Sequence, residues 1–329
     1  MSFFAVLFAL LAEQLKPLPR GNVVHDALTP WMRWTGRNFD AGRDHHAWVV
    51  WLITALLPAL AAWGVHAAIG RFSLLLALGW DVAVLYLTLG FRQFSHYFTD
   101  IRDALDRGDE AEARRLLAQW RHLDASEMPR TELLRHVIEH SLLAAHRHVF
   151  GVFFWFVLLS SFGFGPAGAV LYRMAEFASR YWAFKSHTDD AAVNPRLMAL
   201  SQRLFSLLDH VPARLTAFGF AVVGNFEEAV TCWRRDAGLW KYSNEGIILA
   251  AAAGAVGVQL GGAAAPGVTP DRSKTFDAGT LPEVAVAEGS TPGVPPELGH
   301  LRSIVGLVWR SVVLWMLLLA LLSLANLVG

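Results

Sequence analysis

The stretch HVIEHSLLAAHRHVF, residues 136 to 150, places four histidines and a glutamate directly before an aromatic and aliphatic run. His136, Glu139 and His140 form an H-x-x-E-H string. In one class of zinc hydrolase that spacing lets two histidines hold the metal while the glutamate activates water. Such a site needs a third protein ligand, and no second acidic motif follows at a persuasive distance. His146 and His148 would point about 200° apart on a helix, so they cannot both join the face of His136 and His140. The competing chemistry is an amphipathic helix whose His and Arg side chains lie at lipid headgroup level, with Arg147 marking entry into an apolar layer. We therefore expect no metal ligand here, and the flanking elements must show whether a membrane is present.

Those elements are apolar. The 329 residues are 54% hydrophobic and 17% charged, with positive mean hydropathy, which is too apolar for an ordinary soluble domain. The expected class is all-α, a polytopic membrane helical bundle with a helical cytoplasmic segment. The 28 Lys plus Arg balance the 28 Asp plus Glu, so the chain lacks the basic excess of a nucleic-acid binder and no nucleic-acid partner is expected. The lipid bilayer is the expected partner. The lone cysteine, Cys232, excludes an internal disulfide and a thiolate metal cage.

At about 1.5 Å per residue, three stretches are long enough to cross a hydrocarbon core: Trp48 to Ile69, Phe72 to Phe91 and Ile304 to Val328. A fourth, Val149 to Leu171, is interrupted by SSFGFGPAG, which predicts a kink or two half-spans folded as a hairpin. Weaker candidates are Val211 to Val223 and the small-residue segment Gly246 to Leu260. The opening MSFFAVLFALLAEQL lacks a basic start and reads as a retained helix too short to span. The expected divisions are an N-terminal membrane segment (1–91), a helical cytoplasmic segment (92–147), a membrane core (148–262), a Pro-rich loop (263–301) and a last transmembrane helix (302–329).

RDALDRGDEAEARRLLAQW predicts a solvated pair of amphipathic helices joined near Gly108. Residues 263–301 hold six of the fourteen prolines, the composition of a long mobile loop. The arginines of 13–47 and 92–147 place both segments in the cytoplasm and the Arg71 turn outside. Asp81, Arg173 and Arg310 fall in or beside apolar stretches. Charge at that depth costs at least about 2.5 kcal/mol, so each should face a partner or a wet cleft. For Asp81 the two expectations are an ion pair with an arginine inside the bundle and a place in a substrate cleft.

Three motifs in the C-terminal half carry a resemblance: GPAGAVLYRM (165–174), VPARLTA (211–217), and SNEG followed by AGAVGVQLGG (243–246 and 253–262). In this order, before a Pro-rich loop and a final span, they resemble the CobD/CbiB superfamily of cobalamin-biosynthesis membrane proteins. The resemblance implies a multi-pass protein of the bacterial inner membrane. The implied reaction attaches aminopropanol, or its phosphate, to adenosylcobyric acid, with ATP and Mg2+, to give cobinamide or its phosphate. A corrinoid would then be the substrate. The residues alone name no cofactor.

By the same resemblance Glu139 and Asp209 are the catalytic carboxylates, set to hold magnesium. Arg214 and the backbone near Gly246 would bind phosphate, and Asn244 would orient the amide partners. The chain departs from the family pattern at acidic positions, with Leu143, Ala144 and Arg147 after Glu139, and Phe205 and Ser206 upstream of PARL. Glu176 is a possible substitute ligand. These departures, together with MSFFAVLFALLAEQLKPL, the arrangement of Leu134, Arg135, Arg147 and Phe153 to Trp155, and LLDHVPARL, resemble a sister branch, the AmpE family associated with β-lactamase induction. That alternative is a non-catalytic membrane accessory or sensor in which Arg214 pairs with Asp209.

Overall fold

A computed structural model describes residues 2–15, 23–40, 42, 44–121, 124–188, 194–262 and 289–328. Among them the chain is helical, with no strand and two isolated bridges, Val258 to Val294 and Gly261 to Ser290. Helix α1 (Ser2–Leu15) and α2 (Val23–Phe39) precede α3 (His45–Gly70), which contains one π turn at Leu52–Leu56. After the Phe72–Ser73 turn, the Ser73 hydroxyl caps α4 (Leu74–Thr88) by accepting the Leu76 N–H, satisfying one of the orphan donors of a helix start.

Among the described residues three helices are long and apolar enough to cross a membrane: His45–Gly70, Arg130–Ser161 and Leu298–Ala325. The expected span from Phe72 to Phe91 is shorter than anticipated. Its helix has 15 residues, about 22 Å at the usual rise, against a hydrocarbon core of about 30 Å. Extended backbone at Leu89 ends it before α5 begins. Helices α5 (Phe91–Asp106) and α6 (Glu110–Arg121) are joined where Gly108 takes φ 78°, a left-handed conformation that suits glycine.

The span expected from Val149 to Leu171 is not one helix. Helix α7 runs unbroken from Arg130 to Ser161 through a π turn at His146–Phe150, so the histidine-rich stretch belongs to the membrane helix itself. The chain then turns at residues 162–166 and returns as α8 (Ala167–Thr188). Local chemistry explains the hairpin. Gly165 has φ 53°, and a Cβ on Gly168 would strike the Trp155 carbonyl, so glycine lets the two helices approach.

Helix α9 (Pro195–Val223) starts with Asn194 as its cap and Pro195 in the first turn, α10 (Phe226–Asp236) with Asn225 as its cap. Helix α11 (Ser243–Val256) ends at Gly257, whose φ is 79°. A Cβ on Gly254 would strike the Glu228 carbonyl, so the small residues of this segment seat α11 on α10. The Gly246–Leu260 candidate is therefore one short buried helix followed by irregular chain. Helix α12 (Leu298–Val328) starts slightly before the final span predicted from sequence.

Most of the Pro-rich segment, 263–288, lies outside the described residues. Its end does not behave as a free loop. Residues 289–294 bridge to 258–262, and Thr291 is buried, donating its N–H to the Leu260 carbonyl at 2.9 Å and accepting the Leu260 N–H at its hydroxyl.

Candidate functional site

A cavity of about 320 Å³ lies between α7, α8, α9 and the start of α11. Its wall carries Arg121, Arg147, Arg180 and Lys241 beside the carboxylates Glu139, Asp209 and Glu245. On α7 the wall residues fall in the polar half, before the apolar run from Val149 to Leu159. On α8 they lie beyond Ser179, far from the hairpin turn. Folding the hairpin therefore brings the two polar ends together.

Asp209 and Glu245 are met by donors from other helices, and Glu176 by two arginines of its own helix. Asp209 Oδ1 accepts from His146 Nε2 at 2.7 Å and from the Tyr172 hydroxyl at 2.7 Å. The other ring nitrogen of His146 lies 2.9 Å from the Thr216 hydroxyl, which fixes the ring plane. Arg147 Nη2 donates to Glu245 at 2.6 Å. Glu176 is wholly enclosed, with Arg173 at 3.1 Å and Arg180 on its other side. It serves as their counter-ion and is absent from the cavity wall.

The sequence-predicted residues divide. Glu139, Asp209 and Asn244 reach the cavity, whereas Arg214 and Gly246 do not line it. Asn244 Nδ2 donates to the Ser206 carbonyl at 2.9 Å, and Arg214 approaches Asn244 Oδ1 at 3.4 Å from behind. The Gly246 N–H is already used on the Tyr242 carbonyl, and a Cβ there would strike the Ala237 carbonyl. Gly246 thus permits close packing and has no free amide for phosphate.

The pairing of Arg214 with Asp209 is replaced by bonds to the His210 carbonyl and Asn244, because residues five apart on a helix point about 140° apart. Asp81 is matched not by an arginine but by His66, at 2.7 Å across the α3–α4 turn. Arg310 donates to the Gly306 carbonyl and is exposed.

The H-x-x-E-H string does not converge on a metal. Arg121 Nη1 lies 2.9 Å from His136 Nδ1, and a guanidinium only donates. The His140 ring meets Trp120 edge to face. Glu139 Oε1 accepts the Gly261 N–H at 2.7 Å. Among the described residues no group of three or more His, Cys, Asp or Glu side chains could hold a metal ion. With no such group among the described residues, Glu139, Asp209 and Glu245 do not form a protein-built magnesium cage.

Sequence reasoning missed Arg121, Arg180, Lys241 and Glu245. Arg121 ends a helix read as solvated, yet it is buried, and burial pulls its guanidinium below the ordinary range against the opposing pull of Glu139 and Glu245. Burial and the nearby Glu245 push the Tyr242 phenol up. Glu245 stood in plain view inside SNEG. The signal for it was a carboxylate in the first turn of a helix, where the N-terminal dipole favours negative charge.

A family model described as CobD/Cbib protein matches residues 3–282. The chain is 32% identical over 286 residues to "Cobalamin biosynthesis protein CobD" of Stutzerimonas stutzeri, covering 86% of this chain and 84% of that protein. It is 35% identical over 208 residues to the protein of the same name from Chromobacterium violaceum, covering 62% of this chain and 61% of that one. A third protein of that name, from Leptospira interrogans, is 25% identical over 225 residues, 65% of each chain. No solved structure matches. The four curated proteins that match all bear the CobD name, and nothing in the comparisons supports the AmpE-like branch.

Proposed function

The chain belongs to the CobD/Cbib family, and from that premise we propose that it is a multi-pass inner-membrane ligase of corrinoid assembly. It joins aminopropanol, or its phosphate, to adenosylcobyric acid as an amide, with ATP. The observation that carries this reading is the cavity wall, where Arg121, Arg147, Arg180 and Lys241 converge beside three carboxylates. Four cations drawn from separate parts of the fold suit a substrate rich in phosphate. At about 320 Å³ the cavity is at the small end for ligand sites. It accommodates the reacting groups while the corrin ring stays outside.

The residues supply the two things that amide formation from a carboxylate requires. The acid must be activated by phosphoryl transfer, and cations placed in advance neutralise the charge that moves. The amine must lose a proton before it attacks. Asp209, oriented by His146 and Tyr172, holds the ammonium, while Glu245 beside Arg147 is placed to accept the proton. Asn244, tied to the Ser206 carbonyl, orients the amide partners. The arginine-rich segments 13–47 and 92–147 favour the cytoplasmic side for this end of α7, where ATP is found.

Purified protein in detergent, given adenosylcobyric acid, ATP, magnesium and aminopropanol phosphate, is expected to release ADP and the amide. Folded protein that forms neither product overturns the proposal.

A further inference from the structure

The H-x-x-E-H string leaves one carboxylate, Glu139, that neither a metal nor the proposed reaction absorbs. Its surroundings identify what it holds. One turn earlier on α7, Arg135 Nη1 donates to the Gly261 carbonyl at 2.6 Å, while Glu139 Oε1 accepts the Gly261 N–H at 2.7 Å. One residue's N–H and C=O are thus gripped by two side chains of the same helix. Arg135 is itself braced by Glu132 at 2.9 Å.

The gripped segment, 258–262, is built for this close approach. Gly261 and Gly262 have φ 76° and 113°, a region that side chains rarely occupy. A Cβ on Gly261 would strike the Gly289 carbonyl, and one on Gly262 would lie 2.7 Å from Arg135 Nη1. Gly289 in turn packs on the Trp240 ring, and Trp240 directly precedes the wall residues Lys241 to Glu245. The chain of contacts runs from α7 through Gly261 and Gly289 to Trp240, joining two walls of the cavity.

We propose that Glu139 is a positioning residue: by accepting the Gly261 N–H it fixes the 258–262 strap, and through Gly289 and Trp240 it sets the cavity wall at Lys241 to Glu245. Its oxygen is needed as a hydrogen-bond acceptor and its charge is not needed for metal or proton chemistry. The consequence for turnover rests on the ligase reading above, while the consequence for the strap does not.

The two parts are separated by comparing E139Q, which keeps a carbonyl oxygen toward Gly261, with E139A, which leaves a buried N–H without an acceptor. Hydrogen exchange of the full-length protein in detergent reads the strap directly. E139A is expected to raise exchange across 258–262 by about tenfold, the scale of one lost buried hydrogen bond, with E139Q close to the parent. Amide formation is expected to follow the same order, with E139Q keeping most of the parent kcat and E139A losing about tenfold or more.

Unchanged exchange in E139A overturns the clamp, whatever the activity. E139Q as inactive as E139A, with the strap still protected, overturns the positioning role and makes the charge itself essential. If the parent protein forms no amide, the ligase reading fails while the exchange arm still decides the clamp.

Discussion

The protein pairs acid and base near both ends of the α7–α8 hairpin, and the two regions are built differently. Next to the turn, His66 and Asp81 form one pair between α3 and α4, with the His66 ring packed where a Cβ on Gly165 would be. At the far end, Asp209 and Glu245 are each met from another helix around an open cavity, and Glu176 is enclosed behind it by two arginines of its own helix. Burying a charge is costly in both places, and the pairing offsets that cost. The second region adds converging cations and an enclosed volume. A buried ion pair is thus weak evidence for a site, and the space beside it is stronger evidence.

The largest test of this contrast is Arg180→Ala. It removes one of the two cations flanking the fully enclosed Glu176. Breaking a buried pair from one side costs about 3–5 kcal/mol. Chemical unfolding in detergent should show a loss of that size, and a loss under about 1 kcal/mol would mean that Glu176 is not held as described.

Next comes Asp209→Asn, which keeps the shape but removes the charge oriented by His146 and Tyr172. Amide formation is expected to fall by about a hundredfold, with a stability loss of about 1–2 kcal/mol. Full turnover in this variant would detach Asp209 from the reaction.

Asp81→Asn is the matched change in the other region. The amide can still bond His66, so we expect a stability loss near 1 kcal/mol and parent turnover. A large fall in activity would erase the distinction between the two regions. The smallest effect belongs to Arg302→Ala. Its contact with Asp106 is 3.8 Å and the arginine is 74% exposed, so stability should move by less than about 0.5 kcal/mol.

Several motifs were legible as signatures before their reasons were. GPAGAVLYRM was recognisable, but not that Gly168 admits Trp155, or that Tyr172 reaches Asp209 thirty-seven residues away. The H-x-x-E-H string was legible as spacing and open as chemistry. Helical spacing says which side chains share a face, but not what the opposing surface offers them. Arg121, Trp120 and Gly261 arrive from elsewhere and claim each member separately. Arg121 and Arg180 were hidden because charged residues on amphipathic helices are usually solvated.

What the sequence determined by itself is the apolar helical class, a break at SSFGFGPAG, the joint at Gly108 and the family. These depend on composition and on neighbours a few residues apart, where covalent geometry limits the outcomes. Tertiary structure decided which charges face one another: His66 with Asp81, Arg147 with Glu245, His146 with Asp209. The partners in these contacts lie 15 to 98 residues apart in the chain. Electrostatic pairing is set by distance and burial in space, which local periodicity does not encode.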